Sequence, residues 1–490
     1  MEIPFNHIVA HVSTLSIFGI LGLWIRLALL QLFTFAHNEV FPLAMVQGLG
    51  CVIYGFLMEL KTIHQTDLHT WKRAVENILN ATAPISQTEV HPYRPTIPAG
   101  KPTTAVSLNV NGESSTGIPP STDDELEFTR RYGVNPLDYM LAGNDYIATG
   151  ISVGLCGSIT TFSSWQLDIF TAAFRIPANL PYHSSQEVFP PTQFQSLLVS
   201  FTLLVITWSI SLSGFTFGRH LAVSWSHINP MKRKQVLRRS SISNRILLFH
   251  GPSIFHDPAY FRQDENGWSI DIRKVRFPHW NFTIHQFDHM IYYATIVLAS
   301  LAWAGVIVSA SLTRTWRDYT LSACFAPVGV LLRFLLARFN HWQIPFPTEA
   351  PGRTTTPILK PTWSLRLRIG LAQLFNPFPW GTLLANVGGT ALAGTLFILG
   401  RAVFYTNDPF NSNGHIFCQF RTTLISGLCG CLTTVSTFVA EARYQLPGYA
   451  RRYVYVFLSI ALAQIVLNLI VGLFEWIMQP GTRVNHLVCS

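Results

Sequence analysis

Long apolar runs, separated by polar stretches of very unequal length, recur from one end of the chain to the other. Nine of them approach the length of about twenty residues that crosses the hydrocarbon of a bilayer: 12–36, 42–60, 145–166, 197–222, 287–312, 321–339, 379–403, 421–442 and 452–478. The third and eighth are the least apolar. Each carries a glycine- and threonine-rich phrase, "GLCGSITTFSSW" from Gly154 to Trp165 and "GLCGCLTTVSTF" from Gly427 to Phe438. Glycine costs about 1 kcal/mol against alanine in a helix, and β-branched residues cost a further fraction. Both runs are therefore expected to break as helices at membrane depth. Irregular backbone there is tolerated only where it faces protein or water.

The two phrases belong to a longer repeat. "GLWIR" (Gly22 to Arg26) in the first run pairs with "GVLLR" (Gly329 to Arg333) in the sixth. "VQGLGC" in the second pairs with "ANVGGT" in the seventh, which sets Gln47 against Asn386 and Gly50 against Gly389. Asp168 and Glu441 follow the two phrases at the same offset, 273. The fifth run, 287–312, has no counterpart. Four spans return a chain to its starting side, so one additional span inverts the second set of four. Inverted repeats pack about a pseudo-two-fold axis in the membrane plane and place functional sites at their interface. The expected fold is an all-α integral membrane protein of nine transmembrane helices: two inverted four-helix repeats joined by a linker helix, with the third helix of each repeat broken. The expected division is a first repeat over 1–222, with a polar loop at 61–142, a basic loop and linker helix over 223–320, and a second repeat over 321–490.

The polar stretches orient this arrangement. Residues 61–142 contain "TAPISQTEVHPYRPTIPAGKPTT" and "DDELE", the composition of a largely disordered segment. Residues 223–284 contain "MKRKQVLRRS" and "DIRKVRF", residues 340–370 hold Arg353, Lys360, Arg366 and Arg368, and Arg451 and Arg452 follow the eighth span. Nine spans put these loops on one side with the N-terminus. The excess of Lys and Arg in cytoplasmic loops then predicts a cytoplasmic N-terminus and an extracellular C-terminus. Arg314 and Arg317, in the 313–320 loop, run against this. The glycosylation acceptor patterns at Asn80 and Asn281 fall on the predicted cytoplasmic side and should stay unmodified. Cys418 and Cys489 fall on the outer side, where pairing is open to them.

Composition agrees with this reading. Hydrophobic residues make up 49% and charged residues only 12%, about half the charged share of a soluble domain. Mean hydropathy is +0.29. The net charge of +9 sits in loops between spans, so it reads as topology rather than as a nucleic-acid surface. Cys51, Cys156, Cys324, Cys429 and Cys431 lie in or beside apolar runs and read as small packing residues. No Cys/His set has zinc spacing, no H-E-x-x-H occurs, and no phosphate-binding G-x-x-x-x-G-K-[ST] is present. An enzyme is therefore not expected, and neither is ATP coupling.

The phrases, taken with "GTLLANVGGTALAG" (Gly381 to Gly394) and the G-x-x-x-R of the first spans, resemble the G-x-x-G-x-x-T-T-F-S-T-F and G-T-L-x-x-N-x-x-G signatures of the fluoride channels, called Fluc or CrcB in bacteria and FEX in eukaryotes. The resemblance covers both four-span halves and not the long loops. It implies a fused pseudo-dimer, functional as a single chain, that passes fluoride across the plasma membrane and contacts lipid but no nucleic acid. It implies a central structural sodium ion held by carbonyls of Gly157, Thr160, Gly430 and Thr433. It also implies aromatic rings along the ion path, at Phe162 and Trp165 in one half and at Val435 and Phe438 in the other. Combining the first position of one half with the second of the other gives Phe162 with Phe438, both as in the family, and Val435 with Trp165, both altered. One working and one vestigial pore are expected.

Fluoride is small and strongly hydrated, so a narrow path must replace its water with donors. Asn386, with Gln47 as its counterpart, and the hydroxyls of Thr161, Ser163, Thr434 and Ser436 are candidates, and Thr207 and Ser211 could extend them. Arg26 and Arg333 are costly in a bilayer. Two roles are open to them: lining vestibules that concentrate anions, or pairing with Asp168 and Glu441. The competing function is a secondary transporter of another small solute, since inverted repeats recur there.

Overall fold

The computed structural model describes residues 5–35, 42–82, 139–176, 192–228, 261–264, 267–270, 284–313, 317–341, 378–406 and 419–478. Among them, nine helical segments are long and apolar enough to cross a membrane: His7–Phe33, Pro42–Thr66, Asp145–Phe174, Gln193–Ser226, His285–Leu312, Arg317–Asn340, Trp380–Leu399, Gln419–Gln445 and Tyr449–Ile477. They coincide with the nine runs of the sequence.

Six of the segments start from plain helices: α1 (Phe5–Phe35), α2 (Pro42–Thr82), α6 (Gln193–Ile228), α7 (Ile284–Leu312), α8 (Arg317–Ala337, ending in a 3-10 turn at Arg338–His341) and α9 (Trp380–Thr406). The last, α12 (Tyr449–Leu467), continues through a π turn (Asn468–Gly472) into α13 (Leu473–Met478). The exceptions are the two segments that carry the repeated phrase. The first consists of α3 (Asp145–Thr149), a π turn (Gly150–Cys156), α4 (Gly157–Ile159) and α5 (Phe162–Phe174). The second consists of a π turn (Leu424–Cys429), α10 (Gly430–Leu432), α11 (Ser436–Ala440) and a second π turn (Glu441–Gln445). Both break at the paired threonines. Thr160 and Thr161 are extended (φ −97°, ψ 125° and φ −126°, ψ 121°), as is Thr433 (φ −92°, ψ 153°).

Two expectations change. α2 does not stop near residue 60 but runs to Thr82, because no glycine follows Gly55 and no proline occurs until Pro84, so nothing halts the helix where it leaves the apolar run. The basic stretch before the linker is not wholly irregular. β1 (Phe261–Asp264) and β2 (Gly267–Ile270) form an antiparallel hairpin with Phe261 opposite Ile270 and Asp264 opposite Gly267. Residues 83–138, where disorder is expected, the acceptor Asn281, and Cys418 and Cys489, open to pairing, lie outside the described residues.

The chain forms two compact units. One comprises Gln65–Pro136 and Asn229–Asp288 and contains the hairpin. The other comprises Met1–His64, Leu137–Ile228 and His289–Ser490 and contains both broken segments. In the latter, α1 packs on α8. His11 stacks on Phe334, while Gly19, further along α1, lies against Val330 and Ala326, further back along α8. The first helices of the two halves therefore run antiparallel.

Lipid tails are as apolar as the side chains, so apolar burial does not drive these helices together. Small residues that allow close contact do. Gly50 of α2 meets the Thr160 methyl and Gly389 of α9 meets the Thr433 methyl, in each case closer than a Cβ allows. Each second helix thus presses on the break of its own half.

Candidate functional site

The two breaks meet at the centre of the helical unit, and each completes the other. A helix start leaves N–H groups that need acceptors. Neither α5 nor α11 is capped by its own N-cap side chain. The Thr433 hydroxyl instead accepts from the Ser163 N–H of α5 at 3.0 Å, and the Thr160 hydroxyl accepts from the Ser436 N–H of α11 at 3.1 Å. The same hydroxyls pair with the Ser163 and Ser436 hydroxyls, both at 3.0 Å. Thr160 with Thr434 and Thr161 with Thr433 close the network, at 3.3 Å each. All six side chains are buried. Thr161, Ser163, Thr434 and Ser436, expected as donors along a path, are thus tied across the interface through Thr160 and Thr433.

The second-helix amides brace the breaks. Asn386 accepts the Thr434 N–H at 2.8 Å and donates to the Thr434 carbonyl at 3.1 Å. An uninterrupted helix would send that N–H to the Gly430 carbonyl, so Asn386 both stabilises the break and leaves the Gly430 oxygen without its helical donor. Gln47 donates to the Thr161 carbonyl at 2.7 Å. Its own side-chain oxygen is buried without a partner among the described residues. Asn386 and Gln47 therefore hold the backbone of the breaks in place. The sequence marked the positions but not that a break must have its orphaned groups satisfied by some neighbour.

The arginines do the same from the first helices. Arg26 donates to the Ser426 carbonyl, and Arg333 to the Val153 carbonyl and, at 3.3 Å, to that of Thr433. Val153 and Ser426 are equivalent positions of the repeat. A Cβ on Gly157 would collide with the Arg333 guanidinium, and one on Gly430 with that of Arg26. Each arginine crosses to the other half and lies on the glycine that precedes its break. Arg333 thus bonds carbonyls and not Glu441. Glu441 gathers three neutral donors instead: the Thr382 hydroxyl at 2.6 Å, the Tyr455 hydroxyl at 2.6 Å and the Asn340 amide at 3.0 Å. Tyr455, Thr382 and Asn340 carried no mark in the sequence beyond the rule that a buried carboxylate finds donors. Asp168, the counterpart of Glu441, is buried on α5. The repeat sets Leu43 opposite Thr382, so this hydroxyl is absent from the other half.

The aromatic side chains converge. Phe162 and Phe438 are fully buried, with ring centroids 5.4 Å apart and planes at 75°, edge to face. Trp165 stands edge-on to Phe162 at 5.6 Å, and its indole N–H has no partner among the described residues. Phe438 continues to Trp208 at 5.4 Å and to Tyr455 at 5.1 Å. Val435 is buried in the same cluster. Thr207 and Ser211, one turn apart on α6, are buried, and the Ser211 hydroxyl faces the Cys51 thiol. Gln464 and Gln166 complete one edge. Gln464 of α12 donates to both the backbone and the side-chain oxygen of Gln166 on α5, at 3.0 and 2.9 Å. Among the described residues no group of His, Cys, Asp or Glu could hold a metal ion. The oxygens at the breaks are those of backbone carbonyls, hydroxyls and amides.

The model of the CrcB-like protein family, Camphor Resistance (CrcB), matches residues 13–182 and 320–473. The chain is 25% identical to Fluoride export protein 1 of Saccharomyces cerevisiae over 337 residues, 67% of this chain and 76% of that protein. Fluoride export protein 2 of the same organism gives the same identity and coverage. Fluoride-specific ion channel FluC of Acinetobacter baylyi is 35% identical over 121 residues, 24% of this chain and 86% of that protein. No solved structure matches the chain.

Proposed function

The chain belongs to the CrcB-like protein family, and from that premise we propose that it is a fluoride-selective channel that exports cytoplasmic fluoride passively across the plasma membrane. The observation that carries this reading is the edge-to-face pair Phe162–Phe438, buried beside the joined breaks. A phenyl edge is the positive rim of its quadrupole, and it can meet an anion without binding it as tightly as a full positive charge would. Protonated in acidic surroundings, fluoride crosses the bilayer as HF and dissociates in the cytoplasm. The trapped anion then leaves through the protein, assisted by an inside-negative potential. The N-terminus is cytoplasmic and the C-terminus extracellular, following the basic loops. The two repeats, approximately 1–222 and 321–490, are inverted, which the antiparallel α1 and α8 support.

The two flanks are unequal, and we assign conduction to the flank of Phe162 and Phe438. Beyond Phe438 it continues to Tyr455 and the Glu441 hydroxyl cluster. The flank of Val435 and Trp165 carries neither family aromatic and has Leu43 where Thr382 stands. The hydroxyl network, Asn386, Gln47, Arg26 and Arg333 keep the breaks in register, so that the rings are held at fixed spacing.

The donor set at the breaks suits a hard monovalent cation, which takes carbonyl oxygens of unwound backbone. Asn386 frees the Gly430 oxygen, and Thr160 and Thr433 are extended. Sodium would be held by carbonyls of Gly157, Thr160, Gly430 and Thr433, and its charge would tie the two halves together. The Thr433 oxygen also accepts from Arg333.

Efflux from proteoliposomes, read with fluoride and with chloride electrodes, tests the reading. Wild-type protein should release fluoride and retain chloride, and Phe162→Ile should lose most of the fluoride efflux. Fluoride release that is absent, or matched by chloride, overturns the proposal. Undiminished release by Phe162→Ile overturns the assignment of the flank.

A further inference from the structure

Gln166 lies one helical turn past Phe162, at i and i+4, so both stand on one face of α5. That face packs on α12. Gln166 is fully buried, and its repeat counterpart is Val439, so the fold does not require an amide there.

Which way the amide points is fixed by chemistry. The terminal atom of Gln464 lies 3.0 Å from the Gln166 backbone carbonyl, which can only accept, so that atom is nitrogen. The same nitrogen lies 2.9 Å from the Gln166 side chain, so the Gln166 atom facing it is the oxygen. The Gln166 NH₂ is left over. It is buried with no hydrogen-bond partner among the described residues. An unmade donor in such a place is strongly unfavourable unless something accepts from it. Asn468, one turn beyond Gln464 at the start of the π turn that follows α12, is exposed, so the polar track reaches the edge of the fold.

We propose that Gln166 coordinates the permeating fluoride: its NH₂, left free because Gln464 holds the amide oxygen, donates to the anion one turn beyond the Phe162–Phe438 pair. This rests on the fluoride-channel reading above. The pair offers ring edges, and Gln166 offers a true N–H donor, which a strongly hydrated anion needs once its water is removed. Gln464 is a positioning residue: it holds the oxygen of Gln166 so that the nitrogen cannot turn away.

Proteoliposome efflux of wild type, Gln166→Leu and Gln166→Glu tests this. Gln166→Leu removes the donor. Gln166→Glu keeps an oxygen for Gln464 and replaces the NH₂ by a second oxygen of nearly the same shape. Loss of one hydrogen bond to an ion predicts a fall in fluoride efflux of roughly ten- to a hundredfold for each. The Gln166→Glu protein should regain efflux as pH falls, because a protonated carboxyl again offers a donor, and a merely structural role would not create that dependence. If Gln166→Leu does not fold, Gln166→Glu decides. Efflux by Gln166→Glu within about twofold of wild type at alkaline pH, well under the tenfold that one lost hydrogen bond predicts, overturns the inference and leaves the channel reading intact. A wild type that passes no fluoride overturns the channel reading itself.

Discussion

Asn386 and Gln47 occupy equivalent positions but hold their breaks unequally, and the inequality can be measured. Replacing Asn386 by Leu deletes both bonds to Thr434, at 2.8 and 3.1 Å. Thr434 is fully buried, so its N–H and C=O would both lose their partner with no water to replace it. Each such orphan costs about 1–3 kcal/mol, giving about 2–6 kcal/mol for Asn386→Leu. Replacing Gln47 by Leu orphans only the Thr161 carbonyl. It also removes a side-chain oxygen that already lacks a partner among the described residues. The loss for Gln47→Leu is therefore about 1–3 kcal/mol at most. Thermal unfolding in detergent, followed by tryptophan fluorescence, should place Gln47→Leu between wild type and Asn386→Leu. A Gln47→Leu protein as destabilised as Asn386→Leu would refute the reasoning, since the two braces would then be equal in spite of their geometry. Fluoride efflux should fall in the same order.

Other outcomes follow from the same contacts. Gly430→Ala should yield little monodisperse protein on size exclusion, because the new methyl would meet the Arg26 guanidinium; a well-behaved Gly430→Ala protein would show that Arg26 can withdraw. Neither Asn80 nor Asn281 should carry glycan in a eukaryotic host, read as an unchanged gel mobility after glycosidase, and a shift at either would reverse the proposed orientation.

The register of the repeat was legible from residues alone. Gly22 with Gly329, Gln47 with Asn386 and the two "GLCG" phrases give an alignment that the contacts follow position by position. Gly50 and Gly389 press on Thr160 and Thr433, and Arg26 and Arg333 reach Ser426 and Val153. The break itself was also legible, because glycines and adjacent β-branched residues are poor helix formers wherever they stand. Which of the two roles open to the arginines holds was not legible: opposite charges at equivalent positions say nothing about which group fills the hydrogen bonds of a buried arginine, and here Arg26 and Arg333 donate to carbonyls of the irregular segments.

By itself the sequence determined how many apolar segments the chain has, which of them break and which residues correspond between the halves. These depend on local composition and spacing. Only the tertiary structure decided what satisfies the broken backbone. The threonine hydroxyl of each half caps the helix of the other, across some 270 residues. A cap needs an acceptor within hydrogen-bond reach of a particular N–H, and that proximity exists only once the two halves have met. The same holds for Gln166, whose unpaired NH₂ becomes visible only when Gln464 claims its oxygen.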